Sequence, residues 1–304
     1  MSTQITVQLL FVALALVMAG LGLSLEAADF RRILDEKRAV LVALTLQMAV
    51  LPLAALAIAV AMQLPTPYAV GLMLLAAAPS SISSNLYSHV FGGSVALNVS
   101  LTGVNTALSL VWLPLICNLA LGHFAQRDAA LPPITGKLLE TMATLVVPVL
   151  LGMAVRRQFP AFAKRADRPM RIFSVVVLVV FSVGAIVAEW QSLVKGFADV
   201  GGSVLMFNLL SLGLGYGTAR SMSLDRRIVI AIAFQLGIRS AVLSIYVAMT
   251  SLNDMRFALP AAVYSITMVL LGLSFGIWVR GRKEGLSEKP SALVDANEIV
   301  HTVR

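Results

Sequence analysis

Apolar residues run along this chain in nine long blocks separated by short polar connections: 5–25, 39–62, 68–91, 95–121, 136–156, 171–189, 200–219, 228–250 and 257–280. A helix needs about 20 mostly apolar residues to cross the hydrocarbon core of a bilayer. Each block therefore predicts one spanning helix, and several are long enough to tilt. Among the connections only 121–135 is long, so residues 1–283 read as a single integral membrane domain and 284–304 as a polar tail. The first block follows MSTQITVQLL, which has neither a basic stretch nor a small-residue cleavage site, and it is expected to be a retained helix.

Composition agrees with this pattern. Of 304 residues, 59% are hydrophobic and 12% charged, with a mean hydropathy of +0.89. A soluble globule of this size needs more polar surface than that. Soluble enzymes, disordered chains and nucleic-acid-binding modules are excluded. The single cysteine, Cys117, excludes a disulfide framework and sits in an apolar run.

The net charge of +8 becomes informative only by position. Between the first and second blocks lie Arg31, Arg32, Lys37 and Arg38, and between the fifth and sixth lie six basic residues from Arg156 to Arg171. Arg220, Arg226 and Arg227 follow the seventh block, and five more occupy the end of the chain from Arg280. With nine spans these 18 of the 23 basic residues fall on one side, against Arg127, Lys137, Lys195 and Arg256 on the other. The positive-inside rule makes the first side cytoplasmic, placing the N-terminus outside and the C-terminus inside. The pattern fits a bacterial inner membrane. The remaining basic residue is Arg239, in the middle of the eighth block. All 15 acidic residues map to connections, the tail or span ends, and the three histidines to span ends or the tail.

Two blocks are interrupted. The third reads GLMLLAAAPSSISSNLYSHV, with Pro79 followed by Ser80, Ser81, Ser83, Ser84 and Asn85. Proline removes a backbone donor, and serines offer the backbone other partners. The eighth carries Gln235, Gly237, Arg239 and Ser240 mid-span. Such interruptions are tolerated at membrane depth where protein or a polar cavity satisfies the freed groups. The third span is second from last in a block of four, and the eighth is second from last in a block of five. They run in opposite directions. Paired interruptions in oppositely oriented halves point to a transporter site built from an inverted repeat (4+5). A midspan arginine costs about 2.5–3.5 kcal/mol to insert, which favours a polar cavity around it. Asn208 and Thr267 are further intraspan polar residues that could line a substrate path or simply bond a neighbouring helix. Gly213, Gly215 and Gly217 read as a packing stripe, and Trp112, Trp190 and Trp278 as interfacial anchors.

At these residues the sequence resembles the bile acid:sodium symporter family. Gly20-Leu-Gly22-Leu-Ser24-Leu25 with Asp29-Phe30 is similar to the family's GMGLTL…DF, and Gln47 with Pro52 to its AQF…MP. Pro79 to Asn85, followed by Gly93-Ser94-Val95-Ala96-Leu97, resembles PGGTASN…GNVALS. Pro148 to Gly152 looks like LLPIVLG, and Gly237 and Pro260 fall at EVGMQNS and a later PG. The resemblance implies an all-α polytopic fold with panel and core domains and two crossing discontinuous helices. It also implies carriage of organic anions such as bile acids, sterol sulfates, 2-oxo acids or pantoate-like compounds, usually with sodium.

It further implies ion-site equivalents. Ser84, Asn85 and Thr102 match one sodium site, where Asn98 stands in place of the family's frequent serine and keeps a carbonyl oxygen, and Gln47 matches a second. Gln235 stands where the family has a glutamate, Arg239 where it has a glutamine, and Ser240 where it has an asparagine. Gln235 keeps an oxygen and loses the charge, while Arg239 adds a cation. Like charges about 4 Å apart repel by roughly 4 kcal/mol at an effective dielectric of about 20. The expectation is that Arg239 acts as a tethered cation in place of sodium, donating to Gln47, Asn85, Gln235 and the freed carbonyls. It could also face an anionic substrate, with Arg239, Asn85, Ser84, Gln235, Ser240, Thr267 and Asn208 at the crossover and Pro79 and Gly237 shaping it. The expected partners are a small organic anion and the lipid bilayer, with no nucleic acid, no cofactor and no confident metal site. The chain is expected to be a monomer or weak oligomer. The competing readings are a sodium-coupled symporter with a degenerate ion site and a non-transporting sensor. A membrane enzyme is disfavoured, since no paired carboxylates, metal-spaced histidines or nucleophile–base pair stand out.

Overall fold

A computed structural model describes Ala19, residues 36–124, most of 147–169, and 190–281 except Asn253. Among the described residues every regular element is a helix, apart from one isolated bridge between Ser80 and Arg239. Six of the nine expected spans fall on them. Spans 5–25 (apart from Ala19) and 171–189, the part of 136–156 before 147, and the tail lie outside.

Helix α1 is Lys37–Ala61. It contains one π turn, Leu46–Val50, just before Pro52. A proline at 52 cannot donate to the carbonyl of Met48, and the chain answers by shifting to a wider turn in which Leu51 N donates to Leu46 O. The expected third span is two helices, α2 (Thr66–Ala77) and α3 (Ser83–Val90). Helix α4 (Val95–Phe124) bends by 54° between Ser109 and Val111. Two causes coincide there. Pro114 cannot donate to the carbonyl of Leu110, and Thr102, Thr106 and Ser109 each turn a hydroxyl back onto a carbonyl of the preceding turn.

Helix α5 (Trp190–Ser221) begins ten residues before the expected 200. The stretch WQSLVKGFADV continues the helix, with Asp199 exposed. The expected eighth span is again two helices, α6 (Arg226–Gly237) and α7 (Ala241–Val247), with a π turn at Ala248–Leu252. Helix α8 is Met255–Gly281. By length and apolarity α1, α5 and α8 can each cross a membrane, as can α4 if its bent halves form one span.

Polarity is distributed as the bilayer requires. Leu41, Leu53, Val111, Leu119, Leu270 and Ile277 are exposed, whereas Gln47, Ser84, Asn98, Asn105, Asn208, Gln235 and Arg239 are buried. A water-facing surface would invert that order. Close helix packing depends on missing side chains. A Cβ at Gly215 would lie 2.8 Å from Ala233 Cα, one at Gly237 would enter Leu212, and one at Gly276 would enter the Phe91 ring. The interior is apolar around α2 and α6, which are buried along almost their whole lengths. Trp112 does not sit at a span end as expected. It lies mid-helix in α4 near the bend and lines an apolar cavity of about 450 Å³ with Met48, Pro52 and Met73.

Candidate functional site

The two interruptions meet. Ala78, preceding Pro79, is extended (φ −60°, ψ 149°), as residues before proline prefer to be. Ile238, after Gly237, is extended as well (φ −120°, ψ 92°). The two short extended stretches pair antiparallel with Ser80 opposite Arg239. Ser81 N donates to Ile238 O and Ser240 N to Pro79 O, each at 2.9 Å. Backbone that left its helices at membrane depth therefore finds partners in the other break.

Arg239 is completely buried. Its Nε donates to Leu75 O at 3.1 Å and its Nη2 to Ala76 O at 2.5 Å. The reason lies in the sequence of α2. Leu75 O would normally accept from residue 79, which is proline, and Ala76 O from residue 80, which has turned into the extended stretch. The guanidinium thus closes the C-terminal end of α2, where the helix dipole favours a cation. The expectation for this side chain is corrected in part. It reaches the freed carbonyls, but none of its hydrogen bonds goes to Gln47, Asn85 or Gln235. Nη1 has no hydrogen-bond partner, and among the described residues no carboxylate pairs with the group.

The other break is closed by neutral groups. Tyr264 Oη, on α8, donates to Gly237 O at 2.7 Å. Ile238 N donates to Phe234 O at 3.0 Å. Ser240 serves structure, its Oγ accepting from Leu243 N at 3.4 Å as the N-cap of α7.

Beside the crossing lies a continuous polar network. Gln235 Nε2 donates to Ser80 Oγ at 2.7 Å, and Gln235 Oε1 accepts from Ser84 Oγ at 3.5 Å and Thr102 Oγ1 at 3.2 Å. Thr102 Oγ1 also lies 2.8 Å from Asn98 O, and Asn98 Nδ2 donates to Ser88 Oγ at 2.8 Å. The structure therefore brings Ser84, Asn98, Thr102 and Gln235 together. The oxygens that could hold a sodium ion are present and all neutral; the hydroxyls of Ser80, Ser84 and Thr102 are engaged through the Gln235 amide, whereas Asn98 Oδ1 has no hydrogen-bond partner.

The remaining expected residues fall around this centre. Gln47, on the π turn of α1, is buried with Nε2 unpartnered, and Asn85 Oδ1 on α3 is unpartnered too. Asn208 is fully buried with neither amide atom bonded. It lies one turn before Leu212, the residue that packs on Gly237. Thr267 bonds back to Tyr264 O in its own helix. Two residues of the centre escaped the sequence reading. Ser80 could have been found as the residue facing Arg239 only by knowing the register of the crossing, and Tyr264 had no signal beyond being a tyrosine inside a span.

The profile of the Sodium Bile acid symporter family matches residues 11–196, more than half of the chain. This chain belongs to that family. The matched region holds the first break with Ser80, Ser84, Asn98 and Thr102, while Gln235 and Arg239 lie beyond it. Similar proteins extend the likeness. The rice (Oryza sativa subsp. japonica) chloroplast protein named "Probable sodium/metabolite cotransporter BASS2" is 26% identical over 93% of this chain and 66% of its own length. The sodium-dependent transporter YocS of Bacillus subtilis (strain 168), itself named uncharacterized, is 26% identical over 85% of this chain and 79% of its own. The rabbit (Oryctolagus cuniculus) ileal sodium/bile acid cotransporter is 24% identical over 90% and 80%. This chain therefore spans about two thirds of the plant relative's length. The family and these relatives are transporters, so the protein is a membrane transporter and not an enzyme.

Proposed function

We propose that this protein is a secondary transporter of a small organic anion, working by alternating access and without sodium. The observation that carries the reading is the Arg239 guanidinium, fully buried and holding Leu75 O and Ala76 O at the crossing. A fixed cation there makes a mobile one superfluous and repels it. Arg239 Nη1 remains as a donor for an anion, in a planar fork suited to carboxylate or sulfate. Asn208 Nδ2 and Gln47 Nε2 are further buried amide donors without a partner. The arrangement we infer is nine spans in a 4+5 inverted repeat, inserted in a bacterial inner membrane with the N-terminus outside and the C-terminus cytoplasmic.

A second reading has one observation in its favour: the similar proteins carry sodium in their names, and Ser84, Asn98 and Thr102 remain gathered as oxygen donors. That reading is a sodium symporter in which Gln235 stands in for a charged ligand. Counterflow of labelled anions into proteoliposomes, in sodium and in choline, separates the two. Equal rates in both support the sodium-free carrier, and steep sodium activation of the native protein rejects it.

A further inference from the structure

We infer that the carrier moves only the charge of its anionic cargo and therefore works outward, exporting that anion under an inside-negative membrane potential. The inference rests on the sodium-free anion reading and adds a direction and a driving force to it.

The argument is one of charge accounting over a closed cycle. A symporter that moves an anion with two sodium ions carries a net positive charge inward, so the potential drives uptake. A tethered guanidinium cannot do this. Whatever path Arg239 takes as the core reorients, it returns to its starting point when the cycle closes, and its net contribution is zero. The charge moved is then the charge of the cargo alone. For a monoanion an inside-negative potential opposes entry and favours exit by roughly 50-fold for each 100 mV.

Exit by this route also requires that the carrier return empty, and the crossing supports that step. The carbonyls freed by Pro79 are met by Arg239, the Gly237 carbonyl by Tyr264, and the Ser80 hydroxyl oxygen by Gln235 Nε2, while Asn85 Oδ1 and Asn98 Oδ1 beside them have no hydrogen-bond partner. These contacts, with the backbone pairing of the two breaks, join them through protein groups alone, so reorientation without a bound ion keeps the two breaks together. A proton does not restore the balance either. No carboxylate or histidine of the sequence falls in the middle of an apolar block, which leaves no evident carrier for one.

The test uses the full chain in proteoliposomes, with potassium gradients and valinomycin setting the potential and no sodium present. The probes are four monoanions: taurocholate, an estrogen sulfate, pyruvate and pantoate. The one that most raises the melting temperature of the purified protein is carried forward. The expected result is uptake accelerated by an inside-positive potential, suppressed by an inside-negative one, and unchanged when sodium is added. A substrate jump on a supported membrane should give a current of negative sign for inward anion movement. Uptake accelerated by inside-negative potential, or a positive current, overturns the inference even if transport is sodium-free. Potential-independent uptake into empty vesicles overturns it as well. Failure of all four probes to bind or move counts against the anion-transport reading itself, and the direction falls with it. Gln235→Glu combined with Arg239→Gln provides a second reading: sodium should then accelerate uptake and shift the transported charge toward positive.

Discussion

The two breaks solve one problem by different chemistry. Each interrupts a buried helix and each must find partners for carbonyls that no longer have them. At the first, Pro79 frees Leu75 O and Ala76 O together, and a guanidinium from the second break answers both. At the second, a glycine makes the break, and a phenol from α8 answers Gly237 O. One helix end is closed by a charge and the other by a neutral hydroxyl. The asymmetry teaches that the cation belongs to the first break's architecture, where the end of α2 and its dipole call for one. The proposal of sodium-free transport rests on this cation.

The comparison can be broken most severely at Arg239. Arg239→Met leaves Ala76 O without its guanidinium donor, at about 1–3 kcal/mol, and Leu75 O with only the Ala78 N–H that it shares with Leu74 O. The melting temperature of the purified protein in detergent should fall by several degrees or the protein should fail to fold. Arg239→Lys should recover part of the loss, since an ammonium can meet one carbonyl at a time. Next in size is Gly237→Ala, which drives a Cβ into Leu212 where α5 and α6 touch. Overpacking of this kind costs about 1–3 kcal/mol and should lower the melting temperature without introducing sodium sensitivity. Tyr264→Phe removes one neutral hydrogen bond, about 1 kcal/mol, and should leave transport charge and ion dependence untouched.

The smallest effect lies outside the crossing, at the start of α8. Arg256 donates to both oxygens of Asp254, and that hydrogen bonding holds the Asp254 carboxyl below its usual pKa. A depressed carboxylate stabilises the fold above its ordinary pKa of about 3.9, and the contribution fades as pH falls through the lowered value. The difference in melting temperature between the native protein and Asp254→Asn should be small at neutral pH and vanish under strong acid. Arg256 is largely exposed and Asp254 partly so, and the pair's share is minor.

How much of this was legible beforehand follows from which physics each feature depends on. Both interruptions were readable because proline, glycine and clustered polar residues act locally on the backbone. The isolated charge of Arg239 was readable because a midspan cation has few explanations. Its partners were not. A residue 164 positions away in the chain supplies the acceptor, and only the register of the crossing decides that Leu75 O and Ala76 O, rather than Gln47 or Asn85, receive the guanidinium. Ser80 and Tyr264 entered the centre for the same reason. The ten extra residues of α5 escaped because Lys195 and Asp199 ended the apolar block before they ended the helix.

The claim that Arg239 replaces the coupling ion is tested most directly without any substrate. The melting temperature of the native protein is compared in sodium chloride and in potassium or choline chloride at equal ionic strength, alongside the Gln235→Glu, Arg239→Gln double variant. An ion that binds only the folded state stabilises it by RT ln(1 + [ion]/Kd), a gain that keeps rising with the logarithm of concentration above Kd. The account predicts no sodium-specific shift in the native protein and a shift that rises with the logarithm of sodium concentration in the double variant. A sodium-specific stabilisation of the native protein that rises in this way would contradict it.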